Sequence, residues 1–417
     1  MSVFTKVVDF FASNTFVVAK DSNIATNPLE KSIESLDNRY AVGNTIAGDY
    51  IKFGYGDDFP ILLQRMYNQS PVHAGIVTKK AKMVAGNGLD SSVDEAFKAP
   101  IKRAEIKAFL ANCAGKSQGL YEQIVHAAFQ QELNGAFAFY IKWNKEHNKL
   151  IEFKSLDIKG IRIAEPDENG RITHYILRRK FGKGDVSMQH NQPKKIAAFD
   201  KFGKEHEQVL YVKNPYSNNH YYGVPNYISA FHFISADYEF GKHIRNSAAN
   251  GFTPKVLATF VGRNMSNDQK RLEFDKFKAS FVGSESETVI ASWVKSKEDA
   301  PIFTPLDVSN LDKTIDILSR LNDAKILTAH NVTSPTLFGV MVAGKLGGTG
   351  NELVSAYQIF RATETLPNRA NIMDSMNRVL NTVGYDKINL SIIEEPINLE
   401  SIKGANTNDI PSEQWAL

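Results

Sequence analysis

The sequence predicts an α+β chain of several packed parts, in which two long helices bracket a small mixed αβ insertion. Three observations predict it. The apolar period changes from helical to two at Ala136. Helical stretches at 225–250 and 308–331 flank a strand–helix–strand segment. A third helical stretch, at 351–383, carries Pro367 inside it and is expected to be kinked there. With 417 residues the chain exceeds one compact core, so two or three packed units are expected.

Residues 1–50 are rich in Asn, Ser and Thr and read as an irregular arm. Asp9 interrupts the apolar Val3–Phe11 stretch, which reads as amphipathic and not as a signal peptide. Asp57-Asp58-Phe59-Pro60 opens a helix, with Asp58 as its cap and Pro60 in its first turn. Ile61, Leu62, Met66 and Tyr67 form its apolar face. A second helix runs from Pro71 to Met83, stopped by Gly86-Asn87-Gly88, and others cover about 101–112 and 120–134. Alternation then marks a strand at Ala136–Trp143, paired with Leu150–Lys154 across a polar turn. Further strands are expected at Ile158–Ile163, Thr173–Arg178 and Val209–Lys213. Pro225 opens the first long helix, and Asn250-Gly251 stops it. The insertion reads as strand Lys255–Val261, helix 266–282 and strand Thr288–Ser292. Asp307–Asn310 caps the second long helix, a glycine-rich loop follows at 333–350, and a last strand, Lys387–Ile393, leads into an acidic tail.

Composition narrows the function. No apolar run is long enough to span a bilayer, so no membrane partner is expected. Cys113 is the single cysteine, which fits a reducing compartment. The histidines form no His-x-His or His-x-x-x-His pair, so a zinc site is not expected, and no cofactor is nominated. A net charge of +3 is low for a sequence-reading DNA binder, yet compatible with a duplex that slides past.

Tyr55-Gly56-Asp57-Asp58 matches the catalytic turn of template-dependent polymerases, where paired aspartates hold two metals. Only about fifty residues precede it, too few for a palm, and a helix follows. A capping turn is the reading preferred here; a metal-dependent nucleic-acid enzyme using Asp57 and Asp58 is the alternative. In Gly344–Gly350, Lys345 precedes the glycines and Asn351-Glu352 opens the helix, an order unlike a P-loop. That leaves a flexible surface loop or a mobile loop beside a duplex. Lys242, His243 and Arg245 on the first long helix, and Arg320 and Lys325 on the second, are ion-paired helix faces or a channel lining. Asp237, Glu239, Asp316 and Asp323 are their available partners. Phe231, Phe233 and Phe240 suit core or intersubunit packing. No Gly-x-Ser-x-Gly elbow occurs and no catalytic residue is nominated, so the chain is expected not to be an enzyme.

Three groups of segments carry a family resemblance. They are Asp58–Leu63 through Ser70-Pro71-Val72-His73 and Lys82–Leu89; Tyr222-Gly223-Val224-Pro225 before a helix closed by Asn250–Pro254; and Ser334–Gly339, a glycine loop, then Asn351-Glu352. In this order, over roughly 55–395, the chain resembles the portal (head–tail connector) proteins of tailed bacteriophages. The resemblance implies a portal-like subunit, with an α+β wing at 1–224 whose arm runs to about 50. Stem helices at 225–250 and 308–331 would flank a clip at 251–307. A tunnel loop at 332–350, a long kinked helix and strand at 351–395 returning to the wing, and a short tail or reduced crown at 396–417 complete it. It further implies a ring of twelve subunits at one capsid vertex, assembled in the host cytoplasm and carried in the virion, through which double-stranded DNA is packaged and ejected. The partners implied are other copies of the chain, DNA bound without sequence preference, the terminase large subunit, the major capsid protein and a head–tail adaptor. By the same resemblance Met341, Val342, Gly344, Lys345, Leu346, Gly347 and Gly348 would face DNA. Lys242, Arg245, Arg320 and Lys325 would line the stem, and Lys270, Arg271, Glu273, Lys276 and Lys278 would dock terminase or the adaptor. A virion adaptor that forms no ring is the remaining alternative.

Overall fold

A computed structural model describes residues 46–47, 49–54, 56–91, 93, 98–115, 118–181, 192–200, 203, 205–215, 221–249, 256–261, 266, 268–269, 271–272, 275, 289–294, 311–339, 350–383, 388 and 390–394. The chain divides into two units. The larger comprises Ser32–Asp237 and Leu321–Leu417, and the smaller Met1–Lys31 and Tyr238–Arg320.

The larger unit opens with a short hairpin, β1 (Ile46–Ala47) and β2 (Tyr50–Ile51), where the sequence suggested irregular chain. Helix α1 (Phe59–Gln69) follows, with Asp58 at its N-cap position. The Asp58 carboxylate makes no capping bond, which corrects the expectation that it caps the helix. Helix α2 (Pro71–Ala85) is capped: Ser70 Oγ accepts from His73 N at 3.1 Å. It ends at Gly86, φ 67°, where an added Cβ would lie 2.3 Å from Ile392. Only glycine fits so close an approach at positive φ. Strand β3 (Gly88–Ser91), α3 (Pro100–Asn112) and α4 (Leu120–Asn134) come next, the helices lying within a residue of their expected positions.

A six-stranded sheet is built from β4 (Ala136–Trp143), β5 (Leu150–Leu156), β6 (Ile161–Ile163), β7 (His174–Leu177), β8 (Lys194–Ala198) and β9 (Glu207–Lys213). Its order is β5-β4-β9-β8-β7-β6, antiparallel except for the β8–β9 pair. Ile158–Gly160 is a 3-10 turn, so the strand expected from Ile158 begins at Ile161. Phe137, Phe139 and Ile141 of β4 enter one continuous core with Ile124, Ala127 and Ala128 of α4. Pro225 leads into a 3-10 turn, Asn226–Ala230, before α5 (Phe231–Ala249) begins, one turn later than expected.

The rest of the larger unit includes the end of α6 (Leu311–Ala329), α7 (Gly350–Phe360), a π-helical turn at Arg361–Thr365, α8 (Leu366–Leu380) and β12 (Leu390–Ile393). Pro367 cannot donate to the carbonyl four residues back, and its ring crowds that carbonyl. A wider turn just before it relieves both problems. Ile372, Met376 and Val379 of α8 join the common core, and β12 pairs antiparallel with β3. In the smaller unit β10 (Val256–Val261) and β11 (Val289–Val294) form a parallel pair. Helical residues, Arg271 and Leu272 among them, lie between the two strands in sequence. Among the described residues no helix is long and apolar enough to cross a membrane.

Candidate functional site

The glycine loop is the first candidate, and its flanks are anchored. Residues 340–349, which include Met341, Val342, Gly344, Lys345, Leu346, Gly347 and Gly348, lie outside the described residues. On the approach, α6 ends at Ala329, Asn331 takes φ 57°, and Pro335–Phe338 forms a 3-10 turn closed by Gly339 at φ 77°. On the return, α7 starts at Gly350. The two flanks bond to each other. Thr333 Oγ1 donates to Ala356 O at 2.9 Å, Asn331 Nδ2 donates to Glu364 Oε1 at 3.0 Å, and Phe338 meets Phe360 edge-on at 5.3 Å.

Both flanks also reach one buried lysine on α2. Lys80 Nζ lies 3.1 Å from Glu132 Oε2 and 3.0 Å from Glu364 Oε2, and donates to His330 O at 3.4 Å. Burial alone would lower its pKa, but the two carboxylates outweigh burial and hold it above the ordinary value. Beside it His73 Nδ1 and His330 Nε2 share a hydrogen bond of 2.9 Å, with Tyr227 packed on both rings. Burial pulls the His73 pKa down to about 3 and that of His330 well below its usual value, with His73 and Lys80 lowering the latter further. The pair is therefore neutral near pH 7. The junction brings together α2, α4, the end of α6 and the π turn, and Lys80, Glu132, His330 and Glu364 were not singled out as functional by sequence reasoning. The weak signal available was polar residues at apolar helix positions.

Asp57 and Asp58 do not form a pair aimed at a common ligand. Asp57, at φ 58°, turns inward. Its Oδ1 accepts from Phe53 N at 2.9 Å and from Arg162 Nε, and its Oδ2 from Tyr50 OH at 3.1 Å. Arg162 is fully buried; it also donates to Asp57 O at 2.8 Å and Ile161 O at 2.7 Å, and lies 4.3 Å from the Phe181 ring. Asp57 thus clamps the start of α1 to β6, in place of the simple capping turn expected.

The long-helix cations are exposed at Lys242, Arg245, Arg320 and Lys325. Lys242 sits 3.0 Å from Glu239 and 5.3 Å from the Tyr238 ring, as the ion-paired reading expects. Phe231 is buried, whereas Phe233 is 37% exposed. On α6 Ile317, Leu318 and Leu321 are 65%, 46% and 52% exposed, and Ile244 on α5 is 60% exposed. Of the insertion's charged residues Arg271 is exposed; Lys270, Glu273, Lys276 and Lys278 lie outside the described residues.

This is an α+β fold, with long helices, a small αβ insertion and a kinked helix returning to the main core. It is shared with a chain in the virion of the native gene transfer agent particle, at 14% identity and a TM-score of 0.53, covering 90% of this chain and 91% of that one. A chain in the neck of the native particle, computed with C12 symmetry, matches at 14% identity and a TM-score of 0.51 over 89% and 91%. An HK97 family phage portal protein from Corynebacterium diphtheriae matches at 12% identity and a TM-score of 0.42 over 81% and 96%. No protein-family model matches the chain, and no curated protein matches it in sequence.

Proposed function

We propose that the chain is a portal subunit. Twelve copies would close into a ring at one capsid vertex, forming the channel for packaging and ejection of double-stranded DNA. The observation that carries this reading is the fold shared over nearly the whole chain with a protein of the gene transfer agent neck, computed with C12 symmetry. The wing is 1–224, the stem helices are 225–250 and 308–331, the clip is 251–307 and the tunnel loop is 332–350. Segment 351–395 returns to the wing, and 396–417 is a short tail.

A ring needs one heterologous interface that closes by rotation. The apolar side chains left uncovered on α6, Ile317, Leu318 and Leu321, supply surface that a neighbouring copy would bury. The role is structural, and an ATPase partner, the terminase large subunit, does the work on DNA. The clip, with Lys270, Arg271, Glu273, Lys276 and Lys278, docks terminase and the head–tail adaptor, while the wing meets the major capsid protein.

The loop at 340–350 projects toward the channel axis. Its anchored flanks would keep the feet in place while the glycines let the backbone move against the duplex. Lys345 gives one phosphate contact per copy without reading sequence. Replacing Gly347 and Gly348 with Ala is expected to leave rings intact and impair packaging or DNA retention in particles. Unchanged packaging by the double variant would contradict the loop's role. Charge reversal of Arg271 and Lys278 is expected to weaken terminase capture by assembled rings; lost ring assembly with normal capture would make the segment an intersubunit brace.

A further inference from the structure

The hairpin β6–β7 carries opposite charge at its two ends. At its root, Lys159 and Gly160 lead into β6 while Arg178 and Arg179 follow β7, and Arg178 N donates to Gly160 O at 3.0 Å. These residues, with Lys154, His126 and Asp157, line an open groove. Asp157 is the one carboxylate among the groove's lining residues. It sits 3.3 Å from Lys159 and 3.3 Å from His126, and the groove remains net positive.

At the tip, Glu165, Asp167 and Glu168 are all exposed, with Arg171 as the single cation of the turn. The turn is built to hold its shape. Asp167 Oδ1 accepts from Asn169 N at 3.0 Å and Arg171 N at 2.7 Å, and Gly170 takes φ 74°. Between tip and root lies the paired register Ile161↔Leu177 to Ile163↔Tyr175, about 10 Å of extended chain.

Stiff strands separate the two charged ends, so a tip cannot fold back into its own groove. A like-oriented second copy presents a tip to the groove and a groove to the tip. Two different complementary patches on one chain are what a head-to-tail contact requires. We propose that the acidic β6–β7 tip of one copy docks in the basic groove of the next, setting the order and direction of neighbours. This rests on the ring reading above and names the contact by which its wings meet. Nucleic acid is the other polyanion that could enter such a groove, but it would leave the acidic tip without a partner.

The experiment reverses each end separately. One variant carries Glu165→Lys and Glu168→Lys, the other Lys159→Glu and Arg179→Glu. Asp167 is left alone because it shapes the turn. Thermal melting checks that each variant folds, and light scattering follows assembly against concentration and salt. Each variant alone is expected to raise the concentration for half-assembly by at least about tenfold. A one-to-one mixture is expected to restore rings, because alternating subunits again meet through opposite charges at every contact. As a second readout, Glu168→Cys with Arg179→Cys should give intermolecular products with a short bis-maleimide, the native Cys113 being buried. Rings assembling normally in both variants, or a mixture that fails to rescue, would overturn the contact while the portal reading stands. So would normal rings from the groove variant combined with lost affinity for short duplex DNA, which would make the groove a nucleic-acid surface. Wild-type protein that stays monomeric, together with no cross-link from the Glu168→Cys, Arg179→Cys variant, would remove both readings.

Discussion

Arg162 is a charged side chain with no exposed surface, and its existence there depends on Asp57. Breaking a buried pair by removing one partner leaves the other charge uncompensated, at a cost of about 3–5 kcal/mol. Asp57→Ala is therefore expected to lower unfolding free energy by about that amount in denaturant titration, and adding Arg162→Met to cost less than the sum of the single changes. A near-zero effect of Asp57→Ala would contradict the clamp. The sequence could not show this pairing, because the partners stand 105 positions apart and the adjacent aspartates resemble a metal pair. The buried histidines give a pH signature. His73 has a folded pKa of about 3 against an ordinary 6.5, so between those values the unfolded chain binds more protons. Stability is then full above about pH 6.5 and declines as the pH falls toward 3. His73→Gln is expected to flatten that decline, read as the slope of unfolding free energy between pH 6.5 and 4; an unchanged slope would count against it.

At the scale of elements, two neighbouring helix starts make a direct contrast. Ser70 caps α2 through His73 N, whereas Asp58 stands at the N-cap of α1 without a capping bond. Ser70→Ala is expected to cost about 0.5–2 kcal/mol. Asp58→Ala is expected to stay within about 0.5 kcal/mol. The reverse order in thermal or chemical unfolding would contradict the cap assignment. Helices α2, α3 and α4 were legible because proline, glycine and apolar periodicity bound them. The strand Lys194–Ala198 was not. Of its five residues only Ile196 is buried, so alternation is absent, and its conformation comes from pairing with β7 and β9. The π turn was legible only as an interruption at Pro367. Its position one turn earlier depends on Lys80 and Asn331 holding Glu364, contacts that span more of the chain than local pattern can reach.

For the whole molecule, the order of helices and strands in the larger unit was legible because apolar periods and proline or glycine stops mark the elements. The surfaces between copies were not, since one sequence cannot say which apolar helix positions go uncovered. Ile317 and Leu321 lie one turn apart on α6, and both are more than half exposed. Changing both to Lys is expected to leave a folded protein with an unchanged melting temperature and weakened assembly. Full assembly in that variant would move the interface elsewhere. The most direct measurement is electron microscopy of the purified full chain, paired with mass determination in solution across salt and concentration. The account predicts closed rings with a central opening wide enough for duplex DNA and a mass near twelve subunits. Monomers or dimers under every condition, with no ring in the images, would contradict it.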